Sequence, residues 1–276
     1  MAIIVPLEYM EGYLLPVASE ATLLFMLGVV LGSFLNVVAL NFDDTGGWLR
    51  RRHSACPHCQ ARLHWFELIP LVSYLALMGR CRSCKKPIAR SYFWIELVMG
   101  LATTGLYLTF YPLYTWWQLI GAVVILSLWM VALLYDARTM MLSDKMLWLT
   151  LILALLWRST FGGMYLVNSL VSAGVAALVL LVIRYAGTVV AKQEAMGAYD
   201  ALVGAVVGAV VGWPYVIITL FLSFVIGSVY GVVGAWRRKV TIKKSEVPFA
   251  PALLVGGYLT WIFGVSVYNW YMGLLL

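Results

Sequence analysis

Long apolar runs, rather than alternating polar and apolar positions, dominate the chain from residue 21 onward. A membrane-spanning helix needs roughly 20 mostly apolar residues, whereas the strands of a membrane barrel alternate in polarity. The pattern therefore predicts an all-α polytopic membrane protein with about eight transmembrane helices. They are placed at 21–40, 93–111, 116–135, 146–161, 164–186, 200–213, 214–236 and 252–275. The fourth and sixth are short for a full crossing.

Composition agrees with this assignment. Of the 276 residues, 63% are hydrophobic and only 11% are charged, against roughly 45–50% and 25% in soluble domains. A soluble enzyme behind a cleaved signal peptide is excluded, because apolar runs continue to the C-terminal end. The net charge of +7 comes from basic residues concentrated in loops, so it predicts no nucleic-acid partner.

The basic residues also predict an orientation. If the N-terminus lies outside, all of the 19 basic residues except Arg158 fall on the cytoplasmic side, as the positive-inside rule requires. The first twenty residues contain Glu8, Glu11 and Glu20 and no Lys or Arg, which suits the outer face. The sequence thus predicts an outer N-terminus and a cytoplasmic loop after the first span.

That loop divides the chain into three predicted parts: 1–40, an N-terminal segment with the first span; 41–92, a small cytoplasmic domain; and 93–276, the remaining spans. The loop is too short for a conventional core, so it needs a metal, disulfides or a partner. Within it, the apolar run Leu68–Met78 is too short to cross a membrane. It either packs inside the loop or lies on the membrane surface.

All four cysteines lie in this loop, as Cys56-Pro-His-Cys59 and Cys81-Arg-Ser-Cys84. Two Cys-x-x-Cys turns at this separation are typical of a tetrahedral Zn²⁺ site, and four thiolates leave no open position, which makes such a site structural. A cytoplasmic location argues against disulfides. The alternatives are unligated or redox-active cysteines, or His58 in place of one thiolate.

Acidic residues are rare in this chain, so their positions are informative. Asp136 ends the third predicted span and Asp200 opens the sixth, both at the cytoplasmic end in the predicted orientation. Two carboxylates at one depth can form an aspartyl-protease pair, in which one is protonated and the other activates water. The alternative is that each is solvated at its helix end, where Asp200 is favoured by the helix dipole.

Small residues predict a close helix contact. Gly204, Gly208 and Gly212 recur every fourth residue on the sixth span, and such a stripe lets another helix approach. We expect the third span as its partner, which brings Asp136 toward Asp200; ordinary packing without catalytic meaning is the alternative. Glu96, in the second span, is interpreted as structural, paired with a basic residue of the loop.

Several short motifs occur in a fixed order along the chain. They are Gly32-Ser33-Phe34-Leu35-Asn36-Val37-Val38; the two Cys-x-x-Cys turns; Ile69-Pro70-Leu71-Val72-Ser73-Tyr74-Leu75; Ile88, Tyr92 and Glu96; Asp136 followed by Met141-Leu142-Ser143-Asp144; Glu194-Ala195-Met196-Gly197 through Asp200; and Pro248-Phe249-Ala250-Pro251. In these motifs the chain resembles the type IV prepilin peptidases, bifunctional membrane enzymes of type IV pilus and type II secretion systems. The resemblance covers nearly the whole chain after residue 28.

The resemblance implies a specific activity in the bacterial inner membrane. Family members cleave the leader peptide of prepilin or pseudopilin precursors at the cytoplasmic face and then methylate the new N-terminus with S-adenosylmethionine. It implies Asp136 and Asp200 as the catalytic pair and a methyltransferase-associated cysteine loop. Structural Zn²⁺ and S-adenosylmethionine as methyl donor are the expected cofactors, and membrane lipid is an expected partner. Residues that bind S-adenosylmethionine and the oligomeric state are not predicted.

The chain departs from the family pattern at identifiable positions. Tyr199 replaces the second glycine of Gly-x-Gly-Asp, Ser143 replaces the proline of Leu-Pro-Asp, and Leu202 stands where a lysine is usual. These departures leave a second hypothesis open, a degenerate member that only methylates or binds pilin. A third, a proton- or cation-coupled transporter, is disfavoured because the membrane acids cluster at one face.

Overall fold

A computed structural model of the chain describes residues 7–41, 55–56, 58–139, 142–192, 197, 199–238 and 249–275. These residues form two compact units, Met1–Val131 and Ala132–Leu276. The sequence also predicted three functional parts, with boundaries at 40/41 and 92/93. The division into two compact units does not test these boundaries, which stay predictions.

The described residues are overwhelmingly helical, which confirms the predicted all-α fold. The helices are α1 (Leu7–Asn41), α2 (Val72–Ala76), α3 (Arg90–Phe110), α4 (Trp116–Thr139), α5 (Asp144–Ser159), α6 (Gly163–Ala191), α7 (Asp200–Val211), α8 (Tyr215–Arg238) and α9 (Ala250–Leu275), with a 3₁₀ turn at Trp65–Leu68.

Six of these helices are long and apolar enough to cross a membrane: parts or all of α1, α3, α4, α6, α8 and α9. The fourth and sixth predicted spans correspond to α5 and α7, which have 16 and 12 residues. At about 1.5 Å per residue they reach only about 24 and 18 Å, short of a hydrocarbon core of about 30 Å. The count of eight spans therefore stays a prediction.

In the first unit, glycines let α1 and α3 pack with their backbones close together. A Cβ added at Gly28 would lie 2.6 Å from Thr103 Oγ1 and 2.7 Å from the carbonyl oxygen of Met99. One added at Gly100 would lie 2.6 Å from Val29 Cγ2. Because membrane helices associate largely through such close packing, these glycines fix the register of α1 against α3.

In the second unit, α7 is an interior helix. It contacts α5, α6, α8 and α9, and every residue except Leu202 is buried. Apolar residues all around a helix are typical of burial among other helices. Protein rather than lipid therefore surrounds α7, which explains how so short a helix is accommodated.

The partner of the small-residue stripe on α7 differs from the one predicted. Gly208 lies against the backbone of Ser172, and Gly204 against Leu180, both on α6. Gly212 lies beyond the end of α7 with φ +77°, beside Asn168 and Arg158. The expectation that α4 packs on this stripe was therefore wrong. A stripe of small residues admits any helix, so it does not identify which one approaches.

Candidate active site and metal centre

Asp136 lies one turn before the C-terminal end of α4. Its side chain is only 5% exposed, although a carboxylate is costly to bury without partners. Oδ2 is fully enclosed and receives no hydrogen bond from the described part of the chain. Among the described residues, this buried oxygen is therefore an acceptor whose hydrogen-bonding capacity is not met.

Asp200 is the first residue of α7 and is 6% exposed. Its Oδ2 accepts a hydrogen bond of 3.0 Å from the backbone N–H of Gly197. The backbone amide of Ala250, at the start of α9, also interacts favourably with the ionised form of this carboxylate. These amides and the positive end of the α7 dipole hold a carboxylate at this position.

The two carboxylates are close enough to interact electrostatically, and Arg184 contributes an opposing attraction to Asp200. Both acids belong to the second unit. The alternative in which each is solvated separately at its helix end does not agree with their burial. Two like charges in a buried site disfavour simultaneous ionisation, so one of the two carboxyls is favoured in its protonated form. Such a pair can provide both a base and an acid.

Ala250 is a residue that the sequence reasoning missed as part of this site. The motif Pro248-Phe249-Ala250-Pro251 was noted, but its contribution is a backbone amide, which no side-chain pattern reveals. Pro251 is the second residue of α9 and has no N–H, as is common near a helix start. The available signal was the proline itself, since it marks a helix N-terminus whose amides are free to bind an acid.

The cysteine turns have the same backbone structure. In the first, Cys56 N–H donates to Ala61 O and Gln60 N–H donates to Cys56 O; the second repeats this with Cys81, Lys86 and Lys85. Gln60 and Lys85 both adopt positive φ, +58° and +60°. Isolated β-bridges close each turn, Ala55 with Arg62 and Arg80 with Pro87. The repeated Cys-x-x-Cys sequence thus produces two equivalent turns.

These turns bring the sulfurs of Cys56, Cys59, Cys81 and Cys84 within 4.8 Å of one another, so the four could hold one metal ion. The Cys56 and Cys84 sulfurs are 3.9 Å apart. Tetrahedral Zn²⁺ with Zn–S bonds of about 2.3 Å requires sulfurs about 3.8 Å apart, so the donor set fits. Hydrogen bonds from the backbone N–H groups of Cys59 and His58 lower the pKa of Cys56 to about 7, whereas burial and the three neighbouring thiols raise the pKa of Cys59 to about 11.

Glu96 joins the cysteine loop to α3. It is 7% exposed, and its Oε2 accepts a hydrogen bond of 2.7 Å from the backbone N–H of Leu71. Leu71 has φ +59°, a conformation that is strained for a branched side chain. The structural role predicted for Glu96 agrees with this contact, but the partner found is a backbone amide, where a basic side chain was expected.

Other predicted residues have simpler environments. The run Leu68–Met78 carries exposed apolar side chains, with Val72 at 60%, Leu75 at 63% and Met78 at 87%, which favours the membrane-surface alternative over packing inside the loop. His58 is exposed, and exposed His64 stacks on Phe66. Parts of three motifs lie outside the described part of the chain: Met141, the residues 194–196 and 198, and Pro248.

Membrane-length helices, a buried carboxylate pair and a four-thiol loop define a polytopic membrane protein equipped for acid–base chemistry. Residues 26–110 match the bacterial peptidase A24 N-terminal domain, and residues 122–232 match the type IV leader peptidase family. The chain therefore belongs to the type IV leader peptidase family, which confirms the family resemblance of its motifs.

Curated relatives support the same family assignment. A prepilin leader peptidase/N-methyltransferase of Aeromonas hydrophila is 31% identical over 91% of this chain and 93% of the relative. Proteins of the same name are 31% identical in Stutzerimonas stutzeri, over 88% and 90%, and 30% identical in Pseudomonas aeruginosa, over 90% and 91%. No solved structure matches the chain.

Proposed function

We propose that this protein is an aspartic endopeptidase of the bacterial inner membrane. It removes the leader peptide of type IV prepilins or pseudopilins and then N-methylates the new N-terminus with S-adenosylmethionine. Family membership and the relatives' shared name support both activities. The observation that carries the peptidase assignment is that Asp136 and Asp200 are both buried and lie within electrostatic range of each other.

In the proposed peptidase step, one of the two carboxylates is ionised and the other is protonated. The ionised group removes a proton from water as its oxygen attacks the scissile carbonyl, and the protonated group donates its proton to the carbonyl oxygen. Collapse of the tetrahedral intermediate breaks the C–N bond, and a carboxyl proton passes to the leaving amine. The backbone N–H of Gly197 orients the Asp200 carboxyl during this step.

The four thiols support a structural Zn²⁺ site. Each turn supplies two sulfurs at a spacing that fits tetrahedral coordination. Zn²⁺ there would cross-link the two turns and stabilise a loop with little core of its own. S-adenosylmethionine, by contrast, is a co-substrate that supplies the methyl group.

The distribution of basic residues supports an outer N-terminus, with the cysteine loop and both aspartates on the cytoplasmic side. In this proposed orientation, the site faces the side of the membrane on which prepilin leaders are expected. Neither the transporter nor the degenerate-member alternative is favoured, since the family and the named relatives are enzymes.

The test uses the full-length protein in detergent with a prepilin, resolving products by mass. Asp136→Asn and Asp200→Asn keep the side-chain size but remove the ionisable group. Each should lower cleavage by about 10²–10⁴-fold. The double variant should be little worse than either single one, because the two act as a unit. Asp144→Asn, at an exposed acid that begins α5, is the matched control and should cleave normally.

Retained cleavage in either site variant would refute the proposed pair. Addition of S-adenosylmethionine should increase the mass of the cleaved product by one methyl group. A product that is cleaved but never methylated would remove the methyltransferase half of the proposal. No cleavage of several prepilins by the wild-type protein would instead favour the degenerate-member alternative.

A further inference from the structure

The first unit contains a cavity at the end of α3 farthest from the cysteine loop. Its volume is about 220 Å³, several times the roughly 30 Å³ that one water occupies in liquid. α1, the end of α3, the following turn and the start of α4 form its walls. Its chemically distinctive lining residues are five aromatic side chains and one acid: Tyr107, Phe110, Tyr111, Tyr114, Trp116 and Glu20.

Glu20 supplies the only formal charge among the cavity's lining residues. Its carboxylate is partly buried and accepts a hydrogen bond from the buried hydroxyl of Tyr107. The sequence has no Lys or Arg between residues 1 and 49 or between 91 and 137, so the segments that build the cavity offer no basic side chain. A partly buried carboxylate without a cationic neighbour favours a cation from outside.

The aromatic rings favour the same kind of ligand. Phe110 and Tyr114 stack with centroids 4.3 Å apart, and Tyr107 and Tyr111 lie 5.2 Å apart with tilted planes. The faces of such rings carry partial negative charge and attract ammonium groups, whereas an anion would be repelled by both the rings and Glu20. The cavity is thus suited to an organic cation.

The position of the cavity indicates the source of that cation. It lies between the end of α3, at Phe110, and the start of α4, at Trp116. Both helices are long and apolar enough to cross a membrane. Leu113 and Trp117 beside it are 77% and 83% exposed, as expected for side chains at the level of lipid headgroups. We propose that this cavity binds the primary ammonium group of an aminophospholipid, phosphatidylethanolamine, with Glu20 as counter-ion and the aromatic side chains as its cage.

The experiment is a lipid titration of the full-length protein in detergent, followed by native mass spectrometry. The probes are phosphatidylethanolamine, phosphatidylglycerol with the same acyl chains, and free ethanolamine. Wild-type protein should bind one phosphatidylethanolamine at least about tenfold more tightly than phosphatidylglycerol, because only the former carries an ammonium. This outcome does not depend on the proposed peptidase activity.

Variants locate the site. Glu20→Gln keeps the size of the side chain and an acceptor for Tyr107, and it should weaken phosphatidylethanolamine binding by about tenfold. Trp116→Ala should weaken it by about threefold, consistent with loss of one cation–π contact. Trp117→Ala removes a neighbouring tryptophan that does not line the cavity and should bind as the wild type does.

Three results would overturn the proposal. Equal affinity for the two phospholipids would show that the ammonium is not recognised. Unchanged binding in Glu20→Gln would place the lipid elsewhere, provided that Trp116→Ala is also unchanged. Free ethanolamine that binds as tightly as the lipid would assign the cavity to a soluble amine. Thermal unfolding of each variant in the same detergent shows whether it is folded.

Discussion

A single methyl group at Gly208 should disturb the packing of α7, the helix that begins with Asp200. A Cβ there would lie 2.7 Å from the carbonyl oxygen of Ser172 and 3.1 Å from both Ser172 C and Ala176 Cβ. Two of these three atoms are backbone, which cannot rotate away as a side chain can. Gly208→Ala should therefore push α7 away from α6, and Asp200 begins α7.

The expected magnitude follows from two opposing effects. Overpacking a filled interior costs about 1–3 kcal/mol, whereas alanine in a helix is favoured over glycine by about 0.5–1 kcal/mol. The net loss in the free energy of unfolding is then between about 0 and 2.5 kcal/mol. For a chain of this size that corresponds to a fall in Tm of up to roughly 10 °C. Cleavage should fall as well, because the two carboxylates are displaced from each other.

Gly174→Ala is the matched control. Gly174 lies on α6, and a Cβ there would meet nothing within 4 Å, so only the favourable helix propensity remains. Thermal unfolding in detergent, followed by circular dichroism, compares the two variants directly, and cleavage of a prepilin gives the functional readout. If Gly208→Ala unfolds at or above the temperature of Gly174→Ala, the backbones of α6 and α7 are not in close contact at Gly208.

Three further predictions concern other parts of the chain. Tyr199→Gly should leave the rate of prepilin cleavage within about twofold of wild type. Tyr199 is 40% exposed, and its φ of −87° and ψ of −13° are accessible to any residue. A large gain in a cleavage assay would contradict this prediction. Glu96→Ala should lower the free energy of unfolding by about 1–3 kcal/mol, because it leaves the Leu71 amide unpaired. Glu96→Gln keeps an acceptor for this amide and should be more stable than Glu96→Ala. Equal unfolding temperatures for the two variants would argue against this contact. Cys84→Ser should reduce bound zinc from about one ion per chain to a small fraction of that value, measured by elemental analysis; unchanged zinc content would exclude Cys84 as a ligand.

The sequence predicted those features that depend on short stretches of chain. The two Cys-x-x-Cys turns form locally, through hydrogen bonds between residues four and five apart, so their spacing was enough to predict a cluster of four sulfurs. Apolar runs likewise predicted the long helices. The lengths of α5 and α7 were already marginal in the sequence, and the structure gives both as short helices.

Features that depend on distant parts of the chain were predicted less well. The glycines of α7 indicated a close neighbour but not that it is α6, because that choice depends on how all the helices of the unit pack. The contacts of Ala250 with Asp200 and of Leu71 with Glu96 use backbone amides. Backbone groups are the same in every residue, so a pattern of side chains gives little information about which of them will bind an acid.

This distinction bears on the departures from the family pattern. Tyr199 occupies helical φ and ψ, where the absence of glycine costs little. Ser143, with φ −80°, precedes the first residue of α5 in a conformation that proline also adopts. At both positions, the residue present here adopts a backbone conformation that the usual family residue could also adopt. Among the described residues, the Gly197 amide donates a hydrogen bond to Asp200, and the Ala250 amide and the charge of Arg184 also favour its ionised form. Neither Tyr199 nor Ser143 replaces one of these groups, so these two departures are compatible with retained peptidase activity.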